Sequence, residues 1–278
     1  MLKRPRDERV TTEDEFLRVL SVAQSAAAKV DGLLTERDGY ILVLMAVCPT
    51  VKGEVLEIGS FQGLSTVLLA TALGFTNDPR LQACDPWAAA EVHGATNPTN
   101  DETFRIFRES LARTGVSDRV TIHRKLSSEL AVGWDHPLRL LWIDGDHSVT
   151  GATEDFQNFS PHVVPGGIVA FHDVLHLHPG PSQVFATRVL LSDEWGACGI
   201  CGSIGWAQKA RDRSEVLRNR ERKLRLLRRL MSVVDCTAIG RRVTGWHKLR
   251  YKFRRSLVPR SAPRYSTFSS LVGYRAAG

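Results

Sequence analysis

Short apolar runs alternate along this chain with longer stretches in which apolar side chains recur every three or four positions. That alternation predicts strands separated by helices, packed around a largely parallel sheet in a doubly wound α/β fold. Thr12 and Glu15 have capping-box spacing ahead of Phe16, Leu17 and Leu20, so a helix should start there. A second helix is expected through the run YILVLMAVC at 40–48. Strands are predicted at 54–58, 81–85, 119–123, 138–144 and 166–173, with helices near 64–73, 102–114 and 149–160 between them. The stretch HLHPGPSQ after Asp173 reads as a loop, and a last strand or strand pair is expected within 197–209. No internal repeat is evident.

With 278 residues and 43% hydrophobic side chains, the chain can bury a substantial core, which excludes wholesale disorder. The N-terminal stretch MLKRPRDERVTTEDEF is charged where a secretory signal would be apolar, so a soluble, cytoplasmic protein is expected. Cys48, Cys84, Cys198, Cys201 and Cys236 are scattered and odd in number, which argues against a disulfide framework and for a reducing compartment.

The net charge of +7 conceals two unlike segments. Residues 209–278 hold 20 Lys/Arg against 4 Asp/Glu, whereas residues 1–208 hold 17 against 26. We therefore expect N-terminal helices over 1–50, a sheet-bearing core over 51–209 and a basic extension over 210–278. Within the extension, 211–234 spaces Leu217, Leu224 and Met231 seven apart among arginines, an amphipathic basic helix. The following GRRVTGWHKLRYKFRRSLVPR interleaves Trp246, Tyr251 and Phe253 with cations, a mixture suited to an anionic membrane surface. Docking on the chain's own domain or on a partner helix is the plainer alternative, and nucleic acid is disfavoured. The final stretch SAPRYSTFSSLVGYRAAG shows little patterning.

In a doubly wound sheet, ligands lie at the carboxyl ends of the strands, where helix N-termini and loop amides face an open crevice. Those ends here are Glu57-Ile58-Gly59, Asp85, Asp144 with His147, and His172-Asp173. An acid or histidine after one strand is often only a helix cap; four polar ends in succession point to a site. The first turn, EIGSFQGLST, places Glu57, Gly59, Ser60 and Gly63 ahead of an apolar helix, and its glycines let the backbone approach a ligand. A dinucleotide fingerprint is missing because Phe61 stands where its second glycine belongs, which disfavours a nicotinamide oxidoreductase. No Gly-Lys-Ser/Thr follows, so a P-loop is excluded as well.

The E-x-G-x-x-x-G turn, Asp85 in ACDPW, and the run LLWIDGDHSVTGATEDFQNFSPHVVPGGIVAFHDV together resemble class I S-adenosylmethionine-dependent methyltransferases. The similarity spans roughly 35–208. It is strongest to the small-molecule and sugar O-methyltransferases carrying WIDGDHSY and PGG-x-x-x-x-HD segments. The resemblance implies a Rossmann-like seven-stranded methyltransferase sheet. It also implies that Gly59, Ser60 and Gly63 cradle the methionine part of the cofactor, with Glu57 beneath. Asp85 would then accept from the ribose hydroxyls, with Trp87 and either Ser127 or Ser128 near the adenine.

The resemblance further implies that His147 acts as general base beside Asp144, and that Asp144, His172 and Asp173 form a divalent-metal site, usually magnesium. Imidazole is a poor magnesium ligand, so His172 leaves open another metal, or a metal-free hydrogen-bonded network that positions the acceptor. His176 and His178 could touch substrate from the loop, and Asp146 should cap the following helix. Cys198-x-x-Cys201 lacks a second pair, and on a strand its thiols would point to opposite faces. The expected activity is O-methylation of a hydroxyl on a sugar, another polyhydroxylated small molecule or a glycoconjugate, in a protein that could form a homo-oligomer and lie peripheral to a membrane. The contrasting expectation is a nucleic-acid- or membrane-binding protein with a vestigial methyltransferase fold.

Overall fold

The computed structural model describes residues 10–76, 81–87, 100–237 and 244–274. Two helices, α1 (Glu13–Ala27) and α2 (Glu36–Val47), precede the sheet. Both begin with reciprocal caps: Thr12 with Glu15, as the spacing predicts, and Thr35 with Asp38. The core then runs β1 (Glu54–Ile58), α3 (Leu64–Leu73), β2 (Leu81–Cys84), α4 (Asn100–Thr114), β3 (Val120–His123), α5 (Ser127–Ala131), β4 (Leu138–Ile143), α6 (Val149–Phe159), β5 (Val163–Phe171), α7 (Pro179–Val184), β6 (Trp195–Cys201) and β7 (Ile204–Lys209). A π-helical turn over 185–190 extends α7. Beyond the sheet come α8 (Arg213–Thr237), α9 (Gly245–Ser256) and α10 (Tyr265–Val272).

The strands form one seven-stranded sheet in the order β3-β2-β1-β4-β5-β7-β6, with β7 antiparallel to both neighbours. The chain reverses its direction of travel across the sheet between β1 and β4, which opens a crevice at their carboxyl ends. Alternation along each strand supplies both faces. On β4, Leu140 and Trp142 join the core under α1–α4, while Leu141 and Ile143 join the core under α6–α8. Cys198 and Cys201 on β6 fall into opposite cores as the strand parity requires, and all five cysteines are free.

Two features depart from the sequence reading. The stretch HLHPGPSQ is only partly a loop, because Pro179 opens α7 from its first turn, where the missing amide is tolerated. The weakly patterned C-terminus contains α10, whose Tyr265, Phe268 and Val272 are buried together with Tyr274. Serine and threonine separate those apolar residues, which dilutes the periodic signal, yet the partner surface exists only in the fold. Tyr265 stacks on Phe16 at 5.8 Å, Phe268 meets Trp206 at 5.0 Å, and the hydroxyls of Tyr265 and Tyr274 both donate to the Val10 carbonyl. Likewise α8 buries Leu226, Leu230 and Val233 against the sheet, so the basic extension packs on the body. Among the described residues, no helix is long and apolar enough to cross a membrane.

Candidate active site

One ladder of backbone hydrogen bonds aligns the strand ends. Gly59 N–H donates to the Cys84 carbonyl, Asp85 to His123, Asp144 to Ile58, and His172 to Ile143, all within 2.8–3.2 Å. Each residue just past a strand is thus held by the neighbouring strand, and Gly59, Asp85, Asp144 and His172 line one edge of the sheet. Among the described residues, three that are not glycine adopt a left-handed backbone: Phe61 (φ 43°), Trp87 (φ 46°) and Asp173 (φ 56°). All three lie on this edge, where strain of this kind accompanies function.

The glycine turn is built around Glu57. Strand parity points its side chain beneath the first turn of α3, where it is fully buried and accepts from Ser60 Oγ (3.0 Å) and Thr66 Oγ1 (2.5 Å). Burial pushes its carboxyl up to about 7 against the nearby hydroxyls of Ser65, Thr66 and Ser60, and among the described residues Oε1 has no partner of hydrogen-bonding geometry. Gly59, at φ 86°, leaves no room for a side chain: a Cβ there would sit 2.1 Å from the Asp144 carbonyl oxygen. The turn therefore packs directly on the end of β4. A buried acid with an unpartnered oxygen beneath a glycine cradle fits the cationic amino-acid part of S-adenosylmethionine.

Asp85 serves the same turn. Its Oδ2 accepts from the amides of Ser60 and Phe61, both at 2.9 Å, and its Oδ1 from that of Trp87 at 2.6 Å. Burial raises its carboxyl above the usual range despite these donors. Two of the anticipated cofactor contacts are engaged elsewhere. The Trp87 ring is buried against Phe104 and Phe107, at 4.8 and 4.6 Å, and its indole N–H donates to the Phe61 carbonyl, so it braces the turn. Ser127 donates to Asp155 of α6, whose carboxyl burial lifts to about 6.

Asp144, His147, His172 and Asp173 converge at the ends of β4 and β5. His147 Nε2 lies 3.4 Å from Asp144 Oδ1 and 3.6 Å from Asp173 Oδ2. His172 Nδ1 lies 3.1 Å from Asp144 Oδ1 and 3.5 Å from Asp173 Oδ1. Burial opposes a charge on either ring, but the carboxylates outweigh it and raise both histidines above their ordinary value, His172 well above. Asp144 is held low by the same partners against its burial. Above the cluster, His147 stacks on His178 at 5.2 Å and His178 on His176 at 5.1 Å, while the Gly180 amide donates to the His147 carbonyl. Asp146 does not cap α6 itself. Ser148 does, accepting from Gly151, and Asp146 accepts from the Ser148 amide and hydroxyl.

Asp38, a residue the sequence reading passed over, completes the cluster. Ile168, Ala170 and His172 share one face of β5, so His172 points toward α2, where Asp38 Oδ2 lies 3.9 Å from its Nε2. Asp38 is fully buried; burial disfavours its charge, yet His172, Thr35 and Ser203 bring its carboxyl down to about 2. Thr35-x-x-Asp38 is legible only as a helix cap; its second role needs β5 and the β6–β7 turn to arrive. Donor atoms of Asp144, His147 and His172 lie within 4.8 Å of one another, a trio that holds His147 where Asp173 was expected. Two imidazoles and a carboxylate fit manganese, iron or zinc better than magnesium. His172, however, faces a carboxylate at each nitrogen, an arrangement suited to an imidazolium that has no lone pair for a metal.

Residues 56–174 match a family model described as a methyltransferase domain. Among solved structures, the cofactor-bound Rv0187 from MTB superposes with a TM-score of 0.51 at 17% identity, over 70% of this chain and 91% of that one. A protein from Corynebacterium glutamicum gives 0.50 at 15% identity, over 70% and 91%. The O-methyltransferase from Bacillus cereus in complex with SAH gives 0.48 at 18% identity, over 72% and 93%. The matched segment runs from β1 to the end of β5 and contains the glycine turn, Asp85, Asp144, His147, His172 and Asp173. Over residues 56–174 the chain is thus similar to a methyltransferase domain, on a fold that these solved structures share.

Proposed function

We propose that the protein transfers the methyl group of S-adenosylmethionine to a hydroxyl of a sugar, another polyhydroxylated small molecule or a glycoconjugate. The observation that carries this reading is His147 at the crevice edge, with Nε2 3.4 Å from Asp144 and 3.6 Å from Asp173. Methyl transfer to oxygen is an in-line displacement that needs an oriented acceptor and a group to take its proton. The cofactor, when bound, supplies the electrophilic methyl carbon. Glu57, Gly59, Ser60, Gly63 and Asp85 are the residues to hold it, with Trp87 bracing the turn through Phe61 and Ser127 tied to Asp155 of α6. His147 turns Nε2 toward the two carboxylates, whose charge favours the imidazolium, and Nδ1 is left to receive the acceptor proton. His147 would take the hydroxyl proton as the acceptor oxygen displaces the sulfur at the methyl carbon. Asp144, Asp173 and the His172–Asp38 pair keep the ring in place, and neighbouring acids and imidazoles offer hydrogen bonds to vicinal hydroxyls.

A second reading keeps a divalent ion on Asp144, His147 and His172, supported by the mutual closeness of their donor atoms. An ion there would lower the acceptor hydroxyl pKa. One experiment separates the readings: methyl-labelled cofactor offered with a panel of sugars, glycosides and polyols, with and without excess chelator. Label on a hydroxyl in chelator supports the network; loss in chelator, restored by manganese or zinc, supports the ion. Label found on nitrogen or carbon acceptors alone would overturn O-methylation.

A further inference from the structure

Helix α9 is assembled with its apolar face outward. Trp246, Leu249, Phe253 and Leu257, spaced three, four and four residues apart, share one stripe and are 84%, 58%, 63% and 46% exposed. The opposite side carries the contacts to the body. Tyr251 is buried and donates from its hydroxyl to the Leu175 carbonyl, and Arg254 donates to the Ser232 carbonyl of α8. A helix docked merely to cover its own domain would present these faces the other way round.

The stripe is framed by cations. Lys248, Arg250 and Lys252 are exposed beside it, and from Cys236 to Gly278 the sequence holds ten Lys/Arg and no Asp or Glu. Two turns of apolar side chains bordered by positive charge complement an anionic lipid surface, where the stripe enters the headgroup boundary and the ammonium and guanidinium groups meet phosphates. Nucleic acid would use the charges but gains little from Leu249 and Leu257, and a self-association surface is opposed by repulsion between two such cationic helices.

We propose that α9 is an interfacial helix that seats this protein on anionic membranes. It lies parallel to the bilayer, with Trp246, Leu249, Phe253 and Leu257 inserted. Because Tyr251 grips Leu175, between Asp173 and the stacked histidines, the seated helix is joined directly to the loop over the candidate active site.

The test is flotation of the full chain with phosphatidylcholine vesicles, with and without about one third phosphatidylglycerol, at low and high salt. The tryptophan spectrum adds a second readout, since Trp246 is exposed while Trp87, Trp134, Trp142, Trp195 and Trp206 are all buried. We expect binding to the anionic vesicles only, weakened by salt, with a blue shift of emission that Trp246→Phe removes. Phe253→Ser should weaken binding at least about tenfold, and each of Lys248→Glu, Arg250→Glu and Lys252→Glu by about fivefold or more. All these positions are exposed, so unchanged melting curves are expected for the variants. Absence of binding to anionic vesicles at low salt would overturn the proposal, as would binding equal in wild type and variants. A dimer abolished by Phe253→Ser, or retention on nucleic acid, in a protein that ignores vesicles would overturn it as well.

Discussion

Two side chains at the crevice differ in what their protonation does. His147 is raised by Asp144 and Asp173 against its burial, so it remains charged to a higher pH than an ordinary imidazole and can take a proton only above that point. The turnover rate should therefore fall as pH drops through a value above 6.5. His147→Ala should lower turnover by roughly 10²–10⁴-fold with little change in cofactor affinity. A folded variant with a near-normal rate would remove the histidine from the reaction. Glu57 bears on stability. Its folded value of about 7 exceeds the ordinary 4.5, so the fold holds this proton more tightly than the unfolded chain does. The resulting stabilisation is fully present below 4.5 and is lost as pH rises through about 7, a difference of ~3 kcal/mol. Glu57→Gln should flatten that slope and raise the melting temperature at pH 8, while weakening cofactor binding by removing the acid beneath the glycine cradle. A melting profile unchanged between pH 5 and 8 would contradict this account of Glu57.

At the level of elements, the sequence disclosed the strands better than the links between them. EVLEI is strand at both ends as read, because a run buried on both faces leaves few other options. The glycines of the first turn were also legible, but their reason was not: Gly59 is required by the Asp144 carbonyl of β4, a strand distant in sequence. This makes a paired prediction. Gly59→Ala brings a Cβ to 2.1 Å from that oxygen at φ 86°, and should abolish cofactor binding and destabilise the fold by several kcal/mol. Gly133→Ala, at nearly the same φ of 83° but with nothing within 4 Å, should cost only about 1–2 kcal/mol. Urea midpoints for the two variants measure the difference; equal losses would mean that backbone strain, not the approach to β4, sets the requirement for glycine.

Across the whole molecule, the acidic body and the basic C-terminal segment share their cores. Tyr265, Phe268, Val272 and Tyr274 cover Phe16 and Trp206, and each such side chain contributes about 1.5–3 kcal/mol when buried. Truncation after Arg260 should therefore lower the denaturant midpoint sharply and expose apolar surface to a dye such as ANS. A truncated protein that melts like the full chain would show α10 to be dispensable. Net charge could not reveal this arrangement, since charge describes the solvated face of a helix and leaves its packed face unspecified.

The sequence by itself determined the α/β class, the positions of the first five strands, the capping of α1, and the row of polar strand ends from Glu57 to Asp173. These are local properties: side-chain periodicity, glycine and proline placement, and hydrogen-bond chemistry within a few residues. Tertiary structure alone decided which groups meet. It brought Asp38 to His172 from α2, turned Trp87 into the aromatic base of the glycine turn, engaged Ser127 with Asp155, stacked His147, His178 and His176, and set α9 with its apolar stripe outward. Each of these depends on the register and facing of elements distant in sequence, and no short window of residues contains the geometry that joins them.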